Sequence, residues 1–496
     1  MNGGKFVKLY ELTVSQLSSL LKKKEINAVE LTRTVLDRIV EAEPVLDCYI
    51  NIIEEQAVER AEKVQKMMDA GELYSPLAGI PMAVKDNICT EGIPTTCASK
   101  MLQDFVPPYN AAVMQKLYNN GAILLGKLNM DEFAMGSSTE NSYFKKTKNP
   151  WNHDRVPGGS SGGCAAAVAA GEAIYSLGTD TGGSLRQPSA LCGVTGFKPT
   201  YGSVSRFGLI GYASSFDQIG PVAKDVTDSA LVLNAIAGHD SQDSTSAGIK
   251  YPDYTESLVN NVKNMKIGIP SEYMRNNTSE DVRKAVSEAI ELFEKLGAKC
   301  EEFSLPIMEY VLPTYCIITF AEASSNLGRY DGVKYGHRAK DYKDLGELYK
   351  RTRDEGFGSE VKRRIILGTY VLSAGQYDKY YKKALQARRV ICHELNRAFD
   401  KYDLIMGPTS PSTAFRFGTK VEDPAEMYKN DVLTMPANIA GLPAISVPCG
   451  FDGDSMPIGL QFIGKQFGES TLLRAAYTFE QNTDFHKNKP VIKPVI

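Results

Sequence analysis

Closely spaced cysteine pairs are missing from this sequence. Its nine cysteines are odd in number, dispersed along the chain and never arranged as Cys-x-x-Cys. Short cysteine spacings mark zinc sites, and an even set of cysteines in a short secreted chain marks a disulfide framework. The pattern argues against both, so we predict a reducing compartment and no metal site in this chain.

Long hydrophobic runs are also missing. The longest stretch of small apolar residues, 164–177, is interrupted by Glu172 and is too short to cross a bilayer. The opening residues, MNGGKFVK, have neither the apolar core of a signal peptide nor the Arg- and Ser-rich pattern of a transit peptide. We therefore predict a cytoplasmic protein with no membrane contact.

An excess of charge of one sign is absent as well. The 56 Lys and Arg residues nearly balance the 59 Asp and Glu residues, which leaves a net charge of −3. A polyanion is attracted over a distance only by an excess of positive charge. If nucleic acid is involved, we therefore expect another subunit to hold it.

The sequence does contain enough apolar residues for a large core. Hydrophobic residues make up 43% of the 496 residues and charged residues 23%, as in ordinary globular proteins. Apolar runs predict strands near residues 77–85, 122–125, 174–177, 266–270, 404–406, 444–447 and 458–463, and helices are predicted near 161–171, 227–236 and 279–296. No repeat or linker interrupts this alternation. We predict one large α/β domain over residues 1–496, with N-terminal helices at about 8–70 and a largely helical insertion at about 300–400.

Two serines stand in glycine-rich segments, where backbone N–H groups can approach a substrate closely. Ser160 lies in PGGSSGG (157–163), just before a predicted helix, and Ser184 follows GTDTGG (178–183), just after the next predicted strand. One helix–strand unit can bring both to the same edge of a sheet, where a nucleophile and its oxyanion donors can share a cavity. The two serines predict serine-dependent acyl transfer.

A serine hydroxyl at neutral pH needs a base to remove its proton. None of the five histidines lies in a segment that looks like a site. A buried lysine can act as the base because desolvation lowers its pKa, by as much as ~3–5 units when burial is complete. Lys85, after the apolar run LAGIPMAV (77–84), is the one lysine placed in this way. Taken singly, a solvent-facing lysine, a flexible loop and a tight turn are the plainer interpretations, but the combination favours catalysis.

Two shorter patterns are rejected as sites. Residues 158–162 fit the Gly-x-Ser-x-Gly nucleophile elbow, but the segment before them is polar and turn-like instead of a strand. Residues 121–127 fit most of a phosphate loop, yet Leu128 replaces the hydroxyl residue and an apolar strand fills the middle. We therefore expect no ATP site in this chain.

The serine and lysine segments resemble those of the amidase-signature family. GIPMAVKDN (79–87), GGSSGG (158–163) and GTDTGGSLRQPS (178–189) match its hallmark segments, and the likeness covers nearly the whole chain. The resemblance implies an α/β/α domain with a mixed central sheet covered by helices. It also implies a catalytic triad. In it Ser184 is the nucleophile and Lys85 is the general base. Ser160, which follows a cis peptide bond, relays the proton between them. The implied oxyanion hole consists of the backbone amides of Thr181, Gly182, Gly183 and Ser184.

Three further segments are similar to the A subunits of aspartyl/glutamyl-tRNA amidotransferases, a branch of that family. They are AEASSNLGRYDG (321–332), GFGSEVKRRIILGT (356–369) and YKNDVLTMPANIAGLP (428–443). This resemblance implies hydrolysis of glutamine, with Arg364 at its carboxylate, Asp431 at its ammonium and Tyr315 in the pocket wall. Arginine suits the first role because it pairs bidentately with a carboxylate and stays charged when buried.

The same resemblance implies partners. Ammonia from glutamine would pass to the B subunit of such an enzyme, where ATP and Mg²⁺ serve to activate Glu-tRNA(Gln) or Asp-tRNA(Asn). A small C subunit would help to hold the two larger chains together. The B subunit would bind most of the tRNA, and this chain would hold no cofactor. Two alternatives stay open: a stand-alone amidase that hydrolyses small amides, and a catalytically silent scaffold.

Overall fold

This computed structural model describes residues 8–275, 278–419 and 424–492. The strands in this part of the chain form a single sheet of eleven. Its strands are β1 (Tyr49–Ile52), β2 (Pro81–Lys85), β3 (Ile123–Leu128), β4 (Tyr175–Asp180), β5 (Thr195–Lys198), β6 (Gln218–Ala223), β7 (Lys266–Pro270), β8 (Lys299–Phe303), β9 (Leu404–Pro408), β10 (Ala444–Phe451) and β11 (Pro457–Gly464). Every strand that an apolar run predicted is therefore confirmed.

The sheet is mixed, as expected. Its spatial order is β1-β3-β2-β4-β6-β5-β10-β11-β9-β7-β8. Strand β2 pairs in parallel with β3 and β4, and β7 pairs in parallel with β8 and β9, whereas all other described neighbours are antiparallel. The α/β class is therefore confirmed.

Fifteen α-helices are described, and several pack against the sheet. They are α1 (Val14–Lys22), α2 (Ala28–Leu46), α3 (Glu54–Asp69), α4 (Ala112–Asn119), α5 (Gly162–Ala170), α6 (Arg186–Cys192), α7 (Val226–Ile236), α8 (Glu280–Lys295), α9 (Met308–Asn326), α10 (Leu345–Gly356), α11 (Ser359–Leu372), α12 (Tyr381–Lys401), α13 (Pro424–Tyr428), α14 (Met435–Ile439) and α15 (Glu469–Gln481). Helices α2, α3, α5, α6, α7, α8 and α15 contact strands. None of the described helices combines the length and the apolar character needed to span a bilayer.

Strands β2, β3 and β4 are buried at every residue, which explains why they read as continuous apolar runs. Strand β3 is longer than predicted, because it continues through Lys127 to Leu128. The Lys127 ammonium is buried there but donates a hydrogen bond to Thr95 Oγ1 at 2.9 Å and lies 3.8 Å from the Asp86 carboxylate. A charged side chain with such partners does not have to end a buried strand.

The N-terminal and inserted helical regions each contain a strand that the sequence did not predict. Strand β1 lies between α2 and α3 and pairs with β3, and strand β8 pairs with β7 at the sheet edge. Four helices, α9 to α12, follow, and α9 packs against α11 and α12. Val311, Val361 and Leu395 of this helical layer belong to an apolar cluster that also includes Ile405 of β9 and Ile463 of β11, so the layer packs on the sheet. The helical layer places α11, which contains Arg364, near the carboxyl ends of the central strands, where the two serine loops lie.

Candidate active site

The site forms at the carboxyl ends of two parallel neighbours, β2 and β4. Val84 of β2 pairs with Leu177 of β4, so Lys85 lies beside the last residues of β4. The chain leaves β4 into the glycine-rich loop that contains Ser184, and Ser160 lies two residues before α5, the helix that leads back to β4. Parallel strands end at the same edge of a sheet, so the fold brings the three predicted residues together.

Lys85 is completely buried and has hydroxyl partners. Its Nζ donates a hydrogen bond to Ser160 Oγ at 2.7 Å and another to Thr179 Oγ1 at 2.9 Å. Burial lowers the pKa of Lys85 to about 8, although neighbouring acidic groups act in the opposite direction. About a tenth of this amine is therefore uncharged at pH 7, and the uncharged form can accept a proton from Ser160.

The two serine loops are joined by their backbones. The Ser161 N–H donates to the Ser184 carbonyl at 3.0 Å, and the Gly159–Ser160 peptide bond is cis, as the resemblance implies. Ser184 is 5% exposed, and no described residue makes a hydrogen bond with its hydroxyl. The Lys85–Ser160 half of the proton relay is therefore formed, and the Ser160–Ser184 half stays a prediction.

Residues 181–184, which follow β4 and contain the predicted oxyanion donors, form the oxyanion loop. The Asp180 carboxylate holds this loop in place. Asp180 Oδ1 accepts the Gly183 N–H at 2.8 Å, and its Oδ2 lies 2.9 Å from Arg186 Nε. Although burial favours the neutral acid, the Arg186 guanidinium lowers the pKa of Asp180 to about 2. The amides of Thr181, Gly182 and Ser184 have no acceptor among the described residues. These three predicted donors are free, whereas the Gly183 amide is already bound.

Arg364 projects from α11 into an aromatic surround. Its Nε donates to Glu360 and its Nη1 donates to the Tyr212 hydroxyl, both at 2.7 Å. Its guanidinium carbon lies 5.1–5.4 Å from the ring centres of Tyr212, Phe320 and Tyr428. These contacts fix the guanidinium, and Nη2 has no described protein partner. A carboxylate is the ligand that such a preorganised guanidinium binds best.

Asp431 and Tyr315 flank the glycines of the oxyanion loop. A Cβ added to Gly182 would come 2.5 Å from Tyr315 Cζ, and one added to Gly183 would come 3.3 Å from Asp431 Oδ1. That Oδ1 atom is buried without a hydrogen-bond partner among the described residues, whereas Oδ2 accepts the Ser137 hydroxyl. Burial raises the pKa of Asp431 to about 8. The free oxygen can accept hydrogen bonds from an ammonium group beside the serine loop.

Several further residues that support the site were not predicted from the sequence. Glu360 had a usable signal, because it lies four positions before Arg364 and so shares its helix face. Asp180 and Arg186 stand inside a matched motif, and only the structure shows their pairing. Ser137 and Tyr212 lie in loops remote in sequence from their partners and had no local signal.

The two rejected patterns lack the local structure that their motifs require, and no strand is described in residues 151–157 before the Gly-x-Ser-x-Gly pattern. Residues 121–127 run into β3, where Lys127 is buried beside Asp86 instead of facing a phosphate. Elsewhere, Glu43, Cys48 and Glu172 place possible metal-ligand atoms within 4.8 Å of one another. Lys145 Nζ lies 2.6 Å from Glu43 and supplies a positive charge to that cluster. We assign it no function.

A cleft of about 1240 Å³ lies beside the site, and it is lined neither by the three triad residues nor by residues 181–184. Asp217 lines it, and the Asp217 carboxylate accepts the Thr181 hydroxyl at 2.7 Å. Basic and aromatic residues such as Lys334 and Tyr335 line its outer part. The Asp217 side chain therefore lies between this cleft and Thr181.

Comparison with known sequences identifies the family. The family described as Amidase matches residues 30–473. The A subunit of the glutamyl-tRNA(Gln) amidotransferase of Desulforamulus reducens is 58% identical over 484 residues, which cover 98% of this chain and 100% of that protein. The corresponding protein of Moorella thermoacetica is 57% identical over 98% of this chain and 99% of that protein.

Comparison with solved structures agrees. The crystal structure of the glutamyl-tRNA(Gln) amidotransferase A subunit from Thermotoga maritima matches with a TM-score of 0.82 and 40% identity, over 98% of this chain and 99% of that chain. With its triad segments, sheet and full-length relatives in agreement, the chain belongs to the amidase family, in the branch of the glutamyl-tRNA(Gln) amidotransferase A subunits.

Proposed function

We propose that this chain is the glutaminase subunit of a tRNA-dependent amidotransferase. The observation that carries the proposal is the presence of a cationic and an acidic side chain at separate points around the serine loops. Arg364 offers a fixed guanidinium, and Asp431 has a free buried oxygen next to Gly183. An amino acid that carries both a carboxylate and an ammonium matches the two groups, and glutamine adds the side-chain amide that the serine attacks.

The proposed reaction begins with uncharged Lys85. Its Nζ takes the Ser160 proton while Ser160 takes the proton of Ser184, whose Oγ then attacks the amide carbon of glutamine. The free amides of Thr181 and Gly182 donate hydrogen bonds to the developing oxyanion. One such donor lowers the activation barrier by roughly 3–4 kcal/mol. Lys85 returns the proton through Ser160 to the departing ammonia. Water then hydrolyses the glutamyl ester on Ser184.

The buried carboxyl of Asp431 supports selection of the ammonium group. Burial raises the pKa of Asp431 to about 8, so it is largely neutral at pH 7 in the free enzyme. A bound ammonium stabilises the ionised form, because opposite charges in a buried site attract strongly. A simple amide without an ammonium lacks this interaction. The pocket therefore favours free glutamine.

The partners and cofactors follow the same proposal. The relatives are named as A subunits of an amidotransferase, which supports assembly with further subunits. We propose that these are the B and C subunits and that the complex acts in the cytoplasm. ATP and Mg²⁺ act in the B subunit, which also binds most of the tRNA, and this chain contributes no cofactor. The net charge of −3 and the buried position of Lys127 support this division of labour.

A direct assay tests the proposal. Purified protein, alone and with the B and C subunits of the same organism, is incubated with glutamine, and glutamate and ammonia are measured. We expect glutamine hydrolysis, a glutamyl adduct on Ser184 by mass spectrometry, and neither signal in Ser184→Ala. Fast turnover of simple amides that does not respond to the partner subunits would instead establish the stand-alone amidase. A chain that releases no ammonia in any combination would establish the scaffold.

A further inference from the structure

Two consecutive buried carboxylates, Asp131 and Glu132, have no part in the proposed reaction. They follow β3, and both side chains are almost inaccessible to solvent, at 0% and 3% exposure. Burying two acids side by side is costly unless their oxygens are well satisfied by hydrogen bonds. Each of the two accepts such bonds from a different segment of the site.

Asp131 holds the loop that carries Ser160. Its carboxylate accepts the N–H groups of Thr139 at 2.9 Å and Asn141 at 3.2 Å, and its own N–H donates to the Ser160 carbonyl at 3.2 Å. A Cβ added to Gly159 would overlap this carboxylate. The position of Asp131 therefore defines where the backbone of residues 159 and 160 can lie.

Thr139 extends this contact to both ends of the Ser160 loop. Its hydroxyl donates to the Gly158 carbonyl at 2.8 Å and accepts the Gly162 N–H at 3.1 Å. The Asp131 carboxylate fixes Thr139 through the backbone N–H of that residue. The chain of contacts runs from Asp131 through Thr139 to the residues on either side of Ser160.

Glu132 holds the start of the helix that carries Arg364. One carboxylate oxygen accepts the Gly358 N–H at 2.8 Å, and the other accepts the Ser99 hydroxyl, which also lies 3.2 Å from the Gly356 carbonyl. Gly358 is the residue before α11, in which Arg364 stands. Glu132 therefore determines where this helix begins.

We propose that Asp131 and Glu132 are positioning residues that align the two halves of the site, Asp131 through the Ser160 loop and Glu132 through the helix that carries Arg364. The inference rests on the proposed glutaminase function. Because the residues are adjacent, one short buried segment sets the spacing between the proton relay and the carboxylate-binding arginine. A misplacement of about 1 Å can lower a rate about a hundredfold, so such a support matters.

The test compares two variants that keep side-chain volume, Asp131→Asn and Glu132→Gln, in the full chain. Asp131→Asn is expected to lower kcat for glutamine about tenfold or more while KM stays within about twofold, since it disturbs the relay. Glu132→Gln is expected to raise KM about tenfold or more while kcat stays within about threefold, since it displaces Arg364. A residue with only a structural role would not separate kcat from KM in opposite ways.

Matched controls are present elsewhere in the fold. Asp228 is fully buried and accepts the N–H groups of Val14 and Ser15, and Glu469 is buried and accepts the Thr200 N–H and the Ser203 hydroxyl. Asp228→Asn and Glu469→Gln remove the same kind of interaction outside the site. Both are expected to keep kcat and KM within about twofold at a temperature where they are folded.

Two second-line variants cover a failure to fold. Thr139→Val removes the hydroxyl that links the Asp131 contact to the Ser160 loop and is expected to lower kcat, and Ser99→Ala removes one partner of Glu132 and is expected to raise KM. The inference is overturned if kcat and KM change in the same way in the Asp131 and Glu132 variants, or if neither changes. A wild-type chain that does not hydrolyse glutamine, alone or with its partners, would instead defeat the proposed function.

Discussion

At the residue scale, the partners of a buried lysine decide what it can do. Lys85, Lys127 and Lys198 are all buried. Lys127 lies near the Asp86 carboxylate, and the Lys198 ammonium donates to the carbonyls of Pro199 and Leu442. A carboxylate favours the charged amine, and carbonyl oxygens cannot pass on a proton. Lys85 alone among these three has a serine hydroxyl as its partner, which suits a general base.

The first prediction concerns the ability of Lys85 to lose its proton. Lys85→Met should lower kcat for glutamine about a thousandfold, the middle of the range for removing a general base and well beyond a local packing effect. Lys85→Arg restores a cation that stays protonated, so it should be about as inactive. Steady-state kinetics with glutamine measure both. Retention of a tenth of the wild-type rate by Lys85→Arg would contradict the role as base.

The second prediction is a pH dependence with a defined sign. The pKa of Lys85 and that of Asp431 are both about 8 in the free chain, the first lowered and the second raised by burial, and both groups must be deprotonated to act. Below that pH, log kcat/KM should therefore rise with a slope approaching two, and log kcat with a slope approaching one, because bound glutamine already ionises Asp431. Asp431→Asn should reduce the slope of log kcat/KM to one. A kcat/KM value that falls as the pH rises toward 8 would refute both assignments.

At the element scale, helices and loops hold charged groups where the strands alone would not. Helix α11 presents Arg364 with Glu360 one turn earlier, and the start of α6 presents Arg186 to the carboxylate that grips the oxyanion loop. In both cases an arginine is buried with a carboxylate and further acceptors. Removing one member of such a pair leaves the other charge unpaired, which is far costlier than never having buried the pair.

The third prediction concerns the guanidinium on α11. Arg364→Lys keeps the charge but loses the planar fork, and it should raise KM for glutamine about tenfold or more, since a hydrogen bond to a charged group contributes about 1.5–3 kcal/mol. The kcat value should change little, because the Lys85–Ser160 contact is untouched. Saturation kinetics and thermal melting together separate binding from folding. An unchanged KM in a folded variant would remove Arg364 from the pocket.

The fourth prediction concerns the loop between β4 and α6. Asp180→Asn leaves Arg186 buried without its carboxylate and should destabilise the fold by about 3–5 kcal/mol in urea unfolding. Because pairing holds the pKa of Asp180 at about 2, below its usual value of 3.8, the stabilisation is present above pH 3.8 and is lost as the pH falls through about 2. Exposed Asp154 is a suitable control, since Asp154→Asn should change stability by less than about 0.5 kcal/mol. Equal stability of the two variants would show that the buried pair contributes little.

At the scale of the whole molecule, a single sheet joins the parts of the described chain. It runs from β1 at one edge to β8 at the other, and the helices α9 to α12 lie between strands of its second half in the chain order. The only tryptophan, Trp151, packs against Phe451 of β10 and donates a hydrogen bond to the carbonyl of Cys192, the last residue of α6. It therefore reports on contacts within the sheet region.

The fifth prediction follows from this continuity. If residues 1–496 form one domain, denaturant unfolding followed by Trp151 fluorescence and by far-ultraviolet circular dichroism should give coincident transitions. The dichroism signal includes the helical layer α9 to α12, whereas the fluorescence does not. Two separated midpoints would show that the helical layer is an independent unit. A second probe, a tryptophan placed at Tyr370 on α11, would then identify the part that unfolds first.

Much of the fold and the centre of the site could be predicted from the sequence. Apolar runs of strand length, small-residue helices and two glycine-rich serine segments are local patterns, and each depends on the residues next to it in the chain. Lys85 could be singled out in the same way, because an apolar run precedes it. Four strands were missed. Strands β1 and β8 are short and exposed along part of their length. Strands β5 and β6 are buried, but Gly and polar residues interrupt both and a proline also interrupts β6, so none of the four has a clear apolar run.

The partners of the charged groups in the site come from tertiary contacts. The Tyr212 hydroxyl meets Arg364 across 152 positions of sequence, and the Ser137 hydroxyl meets Asp431 across 294. The Gly183 amide, predicted as an oxyanion donor, is bound by Asp180 instead. Local sequence was enough to predict most of the elements and to single out Lys85, Ser160 and Ser184 as candidates, because these patterns depend on neighbours in the chain. Partner, burial and pKa depend on the groups that the folded chain brings together, and no local pattern contains them.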